Sequence, residues 1–115
     1  LIVPVPLHSR RKRKRGFNQA EIVAKVLSEN TGIAMDAGAV KRIKATSPQK
    51  ELGDKGRKRN IRGAFAVQKN VKGENIVLID DIYTTGSTLD EAARVLKKAG
   101  AENVYFLTVS IGQGI

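Results

Sequence analysis

The sequence predicts an α/β domain built on a central, mainly parallel β-sheet with helices on its faces. Three segments in the C-terminal half carry that prediction. Ile76-Val77-Leu78-Ile79 is an unbroken apolar run, as in a parallel strand covered on both faces. Leu89, Ala92, Ala93, Leu96 and Ala99 then recur at three-and-four spacing with polar residues between them, making one apolar stripe along a helix. A second strand-like run covers residues 103–110. Strand, helix and strand over residues 75–110 read as a βαβ unit with parallel strands and a right-handed connection. A chain of 115 residues accommodates this as one domain with its own core.

The remaining elements follow in order. Residues 1–6 are apolar and β-branched and read as a short buried strand that ends where its prolines remove ladder donors. Residues 10–16 form a basic loop by composition. From Phe17 the spacing changes, and Phe17, Ala20, Val23, Ala24 and Leu27 mark an amphipathic helix with Gly32 as its stop. Residues 39–43 suggest a short edge strand and residues 64–67 another. Between them, residues 44–61 are polar, basic and broken by Pro48, Gly53 and Gly56, so they read as a long loop; such loops in compact domains are usually functional or disordered. Thr88 and Glu91 have capping-box spacing at the start of the last helix, and Gly100 is its stop. Asp90 and Glu91 in its first turn and Lys97 and Lys98 in its last match the helix dipole.

Composition excludes several classes. With 41% hydrophobic and 28% charged residues, the chain is neither collagen-like, low-complexity nor disordered. No apolar run is long enough to cross a membrane as a helix. The absence of cysteine removes disulfides, thiolate zinc sites and cysteine nucleophiles and leaves the redox compartment open, with a reducing cytoplasm as the default expectation. A single histidine, His8, argues against a histidine metal site or a Ser-His-Asp triad. Because the chain opens with Leu1 inside an apolar strand and has no cleavable leader, a fragment without a secretory signal is expected. The net charge of +10 is uneven: residues 1–72 hold 18 basic and 5 acidic side chains, residues 73–115 hold 3 and 6. That asymmetry points to an anionic partner, either a nucleic acid or a phosphorylated small molecule.

Residues 77–88 carry the chemistry. A buried strand delivers two adjacent carboxylates, Asp80 and Asp81, to its carboxyl end, and a small hydroxyl-rich loop then runs into a helix N-terminus. Ligands bind in that crevice in open parallel sheets. Thr84, Thr85, Gly86, Ser87 and Thr88 offer backbone N–H groups and hydroxyls to an anion, backed by the positive end of the helix. Two carboxylates beside a phosphate cradle suggest a sugar phosphate, since carboxylates accept hydrogen bonds from hydroxyls. The bland alternative is a helix cap with two exposed acids. Neither G-x-x-x-x-G-K-[ST] nor G-x-G-x-x-G occurs, so the P-loop and dinucleotide readings lack support.

Four apolar residues, Asp-Asp, two more residues and Thr-Thr-Gly-Ser-Thr resemble the phosphoribosyl pyrophosphate (PRPP) motif of type I phosphoribosyltransferases. Two further blocks narrow the resemblance to the ComF family, phosphoribosyltransferase-like proteins linked to bacterial competence. Pro4-Val5-Pro6-Leu7-His8 with Arg15-Gly16-Phe17-Asn18-Gln19-Ala20-Glu21 is similar to that family's opening block. Gln49, Leu52 and Arg59-Asn60-Ile61-Arg62-Gly63-Ala64-Phe65 are similar to its middle block. The resemblance implies a type I phosphoribosyltransferase-like fold in which Asp80 and Asp81 hydrogen-bond the ribose 2- and 3-hydroxyls and the 84–88 loop holds the 5-phosphate. It implies Mg²⁺ bridging pyrophosphate and ribose hydroxyls, with no side chain of this sequence assigned as a direct metal ligand. It also implies a pyrophosphate loop at Leu7, His8, Ser9 and Arg10. The expected activity is phosphoribosyl transfer from PRPP to an unidentified acceptor, or slow PRPP hydrolysis. The position of Thr84, an acid in many purine-salvage relatives, argues against such an enzyme. Family members commonly begin with a cysteine-rich segment, absent from residues 1–115, and their acceptor-recognising hood is often built from terminal segments.

Other features leave alternatives. Arg57 and Arg59 in the long loop are candidates for a lid over the pyrophosphate. The six basic residues Arg10, Arg11, Lys12, Arg13, Lys14 and Arg15 suit a solvated loop, a phosphate contact or a nucleic-acid backbone contact. Hence a second function is open: a nucleic-acid-handling protein of DNA uptake that keeps the fold as a scaffold or PRPP sensor, with single-stranded DNA and the competence machinery as partners. Aromatic content of 4% argues against a stacking platform; Phe17, Phe65 and Phe106 all fall on apolar faces, leaving Tyr83 and Tyr105 to stack on bases. His8 reads more readily as a structural residue than as a ligand, and Tyr83 suits either a ribose pocket or a sheet edge.

Overall fold

In the computed structural model, residues 1–6, 18–43, 61–83 and 86–111 are described. The elements are β1 (Ile2–Pro4), α1 (Gln19–Thr31), β2 (Val40–Arg42), β3 (Phe65–Val67), β4 (Asn75–Tyr83), α2 (Ser87–Lys98) and β5 (Asn103–Ile111). β1, β4 and β5 form a parallel sheet in that order, and β2 pairs with β3 antiparallel in a second, two-stranded sheet. The fold is the α/β arrangement expected of a type I phosphoribosyltransferase-like domain, with the 75–110 unit parallel.

β4 is central, and its apolar run is partitioned between two cores. Ile76 and Leu78 pack with Val3, Val5, Leu89, Ala92 and Leu96 and with the β2–β3 sheet through Val40 and Phe65. Val77 and Ile79 face the other way, into Ile2, Ala20, Ala24, Val23, Leu27 and Met35. Each half of the alternation is buried under a different layer, which is why no polar residue interrupts it. The loss of the amide donor at Pro4 is tolerated by parity. The odd-numbered amide of Val5 donates to Ile79 on β4, whereas the even-numbered amide of Ile2 points outward and bonds Ala34.

That outward bond matters for topology. Met35 bridges Ile2 in parallel, so the chain leaving β1 through α1 returns on the side of β1 away from β4. The chain leaving β4 through α2 returns as β5 on the opposite side. The order of connections therefore reverses between β1 and β4, and the crevice at a topological switch point opens there, at the carboxyl ends of those strands.

Asn18 ties this edge together. Its Oδ1 accepts from the Ala20 amide, capping α1, and its Nδ2 donates to the Val5 carbonyl at 3.1 Å. Gly32 at φ 76° ends α1, in the left-handed conformation that glycine adopts without strain.

Two sequence expectations are corrected. The Thr88–Glu91 capping box does not form: Gly86, at φ 79°, is the N-cap of α2, and no side chain caps it. With the helix starting at Ser87, Glu91 lies too far along to reach back. It instead accepts two bonds from Arg94, the shorter at 2.6 Å, and one from the Gly63 amide at 3.1 Å, fastening α2 to the turn before β3. Phe106 is not covered. It shares the Leu78 face but is 55% exposed, because β5 is the edge strand of the sheet among the described residues. Phe65 is buried as expected, and Phe17 lies outside the described residues.

Replacing Asn18 with Ala removes the α1 cap and the tether to Val5 together. Urea unfolding is expected to show a loss of about 1–2 kcal/mol. Asn18→Asp retains the capping acceptor and should lose less.

Candidate active site

The switch-point crevice is lined first by β4. Among the described residues its ladder with β1 ends at Val5 and Ile79, whereas its ladder with β5 continues through Asp80↔Thr108 to Tyr83↔Ile111. Asp80 and Asp81 thus lie inside the strand, not beyond its end, yet on the β1 side they are past the last paired residue. By alternation, Asp80 shares the Leu78 face, under α2 and the β2–β3 sheet, and Asp81 shares the Ile79 face. The Asp81 amide donates to Asp80 Oδ1 at 2.9 Å.

Asp80 is electrostatically unusual. Burial, reinforced by a hydrogen bond to the Asp81 side chain and by the charge of Asp81, pushes its carboxyl up to about 7 from 3.8. The Asp81 amide and the positive charge of Arg42 pull the other way. A carboxyl poised near neutrality in a crevice marks a site of function more often than one of packing.

The second wall is the start of α2. Gly86, in its left-handed conformation, starts α2, whose N-terminus follows β4 and lies at the carboxyl edge of the parallel sheet. Ser87 is buried, and Thr88 is half-buried. These are the described members of the expected phosphate loop; Thr84 and Thr85 lie outside the described residues, as does the side chain of Tyr83. Leu7, His8, Ser9, Arg10, the rest of the 10–15 basic run, Arg57 and Arg59 are likewise outside them. The residues flanking the first of these segments are placed: Pro6 follows Val5 at the switch point, and Asn18 is bonded back to Val5.

A strand carrying two carboxylates into a switch point, followed at once by a helix N-terminus, is the geometry that the 76–88 pattern implied. A family model, the phosphoribosyl transferase domain, matches residues 13–111. The chain belongs to that family, in its ComF-like branch. Similar proteins include "DNA utilization protein YhgH" of Salmonella typhi, 43% identical over 103 residues that make up 90% of this chain and 45% of the relative. "Competence protein F" of Haemophilus influenzae is 42% identical, over 90% of this chain and 46% of its own. "Competence protein ComFC" of Bacillus subtilis is 36% identical, over 95% and 43%. The chain spans less than half the length of these relatives.

Within this phosphoribosyl transferase domain, one charged group near the carboxylates was not singled out by sequence reasoning. Arg42, only 8% exposed, stacks over the Phe65 ring at 5.4 Å from its centroid and acts on Asp80 through its charge. The signal was present in β2, where Val40 and Arg42 share the buried parity and Lys41 is exposed. Among the described residues no group of three or more His, Cys, Asp or Glu stands together, and no helix is long and apolar enough to cross a membrane.

The raised Asp80 carboxyl has a sign in stability. The folded protein binds a proton there that the unfolded chain releases near 3.8, so this stabilising contribution is complete below that pH and lost as pH rises through about 7. Asp80→Asn removes the burdened charge. It is expected to stabilise the domain at pH 8 by on the order of 2 kcal/mol and to change little at pH 4, read from thermal melts across that range.

Proposed function

We propose that this domain binds PRPP with Mg²⁺ and transfers its phosphoribosyl group to an acceptor. The observation that carries the reading is the delivery of Asp80 and Asp81 by β4 to the switch point, a few residues in sequence before the amides that open α2. The two carboxylates accept hydrogen bonds from the ribose 2- and 3-hydroxyls, and residues 84–88 hold the 5-phosphate. The Leu7, His8, Ser9 and Arg10 segment takes the pyrophosphate.

Two adjacent carboxylates without further ligands do not make an all-protein magnesium cage. They fit an ion that would be held mainly by the ligand's own oxygens, where Mg²⁺ would supply charge neutralisation for the pyrophosphate. The bond from ribose C1 to the pyrophosphate oxygen breaks with its electron pair on the pyrophosphate, leaving an oxocarbenium-like sugar. The acceptor's lone pair then forms the new bond at C1. Here the chain's own groups orient the ribose and stabilise developing charge rather than react covalently. Arg57 and Arg59 are assigned to closing over the pyrophosphate. A cytoplasmic location accords with this reading.

Titration calorimetry of the domain with PRPP and Mg²⁺ tests it. The double variant Asp80→Asn/Asp81→Asn should bind about 10–100-fold more weakly, the loss expected of charged hydrogen bonds. Equal binding by both proteins sinks the assignment.

A second reading is favoured by the relatives named for DNA utilization and competence together with the charge of residues 1–72. In it, Arg10, Arg11, Lys12, Arg13, Lys14 and Arg15 contact single-stranded DNA, and the pocket serves as scaffold or PRPP sensor. Fluorescence titrations at several salt concentrations would then show a steep salt slope that falls by about 4 when all six are neutralised. An unchanged slope removes this reading.

A further inference from the structure

Arginine is rarely buried unless a partner offsets the loss of solvent, yet Arg42 is buried in a two-stranded sheet far in sequence from the acidic pair. Its placement is constrained from two directions. β2 pairs with β3 in a register that sets Arg42 opposite Phe65, and the guanidinium lies over that ring. Phe65 belongs to the core that contains Leu78, the residue whose β4 face Asp80 shares. The fold therefore brings a buried cation to the face of β4 that presents Asp80, not to the face that presents Asp81.

We propose that Arg42 is a positioning residue of the site, a buried counter-charge from the second sheet that holds Asp80 as the carboxylate needed to accept hydrogen bonds from sugar hydroxyls. The inference rests on the PRPP reading above and adds to it a residue and a pH dependence. An ionised carboxylate only accepts, whereas a protonated one uses an oxygen as a donor and loses that acceptor for a hydroxyl. With burial and the Asp81 side chain favouring the protonated form, the Asp81 amide and the charge of Arg42 pull toward the carboxylate, and of these two Arg42 is the one that a side-chain substitution removes. The other charged groups around Asp80 are few among the described residues. β1 has no ionisable side chain, β5 offers Thr108 opposite Asp80, and Glu91 of α2 is turned to Arg94 and Gly63.

The test separates coupling from function. In the ligand-free protein, the carboxyl carbon resonance of Asp80 should titrate near 7. In Arg42→Met or Arg42→Gln its midpoint should rise by about one unit, a tenfold gain in proton affinity, and in Arg42→Lys it should return toward the original value. In the unsubstituted protein, the Arg42 Nε resonance should move with the same midpoint and stay still in Asp80→Asn, a readout that needs no neutral variant to fold. A purely structural Arg42 would lower the melting temperature of its variants without moving the Asp80 midpoint, and that result overturns the inference.

PRPP affinity, measured with Mg²⁺ from pH 6 to 8.5, should fall about tenfold per unit below the Asp80 midpoint, and the break should shift upward in Arg42→Met. PRPP binding indifferent to pH, with the coupling present, also overturns the inference while leaving the proposed function standing. Failure of the unsubstituted protein to bind PRPP at any pH overturns the proposed function instead.

Discussion

The burial of β4 between two parallel neighbours and two apolar layers is the constraint on which the rest of this domain depends. Four consecutive apolar residues are affordable only where both faces are covered, and covering both faces requires α1 on one side and α2 with the β2–β3 sheet on the other. The same burial then continues past Ile79 to Asp80. A carboxyl carried on a strand so enclosed is only partly solvated, and its ionisation is pushed up to about 7. Stability and site are therefore in tension along one strand: residues 76–79 gain from burial, and Asp80 loses by it.

That tension gives meaning to the smaller elements. The β2–β3 sheet closes the core over α2 through Val40 and Phe65, and it brings a buried cation to the acidic face. Glu91 pins the turn before β3 to α2 through Gly63 and is itself held below the usual carboxylate range, chiefly by its bonds with Arg94. Asn18 returns the chain to the end of β1, so the segment between Pro6 and Asn18 begins and ends at the same crevice. The excess positive charge of residues 1–72 thus divides into parts with distinct locations. Arg42 lies inside, whereas Arg62 and Lys72 are at the surface.

Much of this was legible in the residues because the signals were local. Apolar runs and stripes marked β4 and α2, Gly32 marked the end of α1, and the Asp-Asp pair before a hydroxyl-rich segment marked the candidate site. The misreadings were those in which a local pattern competed with a distant partner. Thr88 and Glu91 have the spacing of a capping box, but Gly86 takes the left-handed turn that starts the helix earlier, and Arg94 and Gly63 offer Glu91 better-placed donors. Phe106 sits in an apolar run that resembles a covered strand. Its exposure follows from the edge position of β5, which no periodicity within residues 103–111 reveals.

By itself, then, the sequence determined the fold class and the strand and helix that build the candidate site, because each depends on residues within a few positions of one another. Only the tertiary structure decided that the connections reverse between β1 and β4, that Asp80 and Asp81 face different layers, and that Arg42 stands on the Asp80 side. Those facts join residues far apart in the chain, Ile2 with Val77 and Arg42 with Asp80, through the packing of two sheets and two helices, and charge acts across such a distance in sequence only once the fold has closed it.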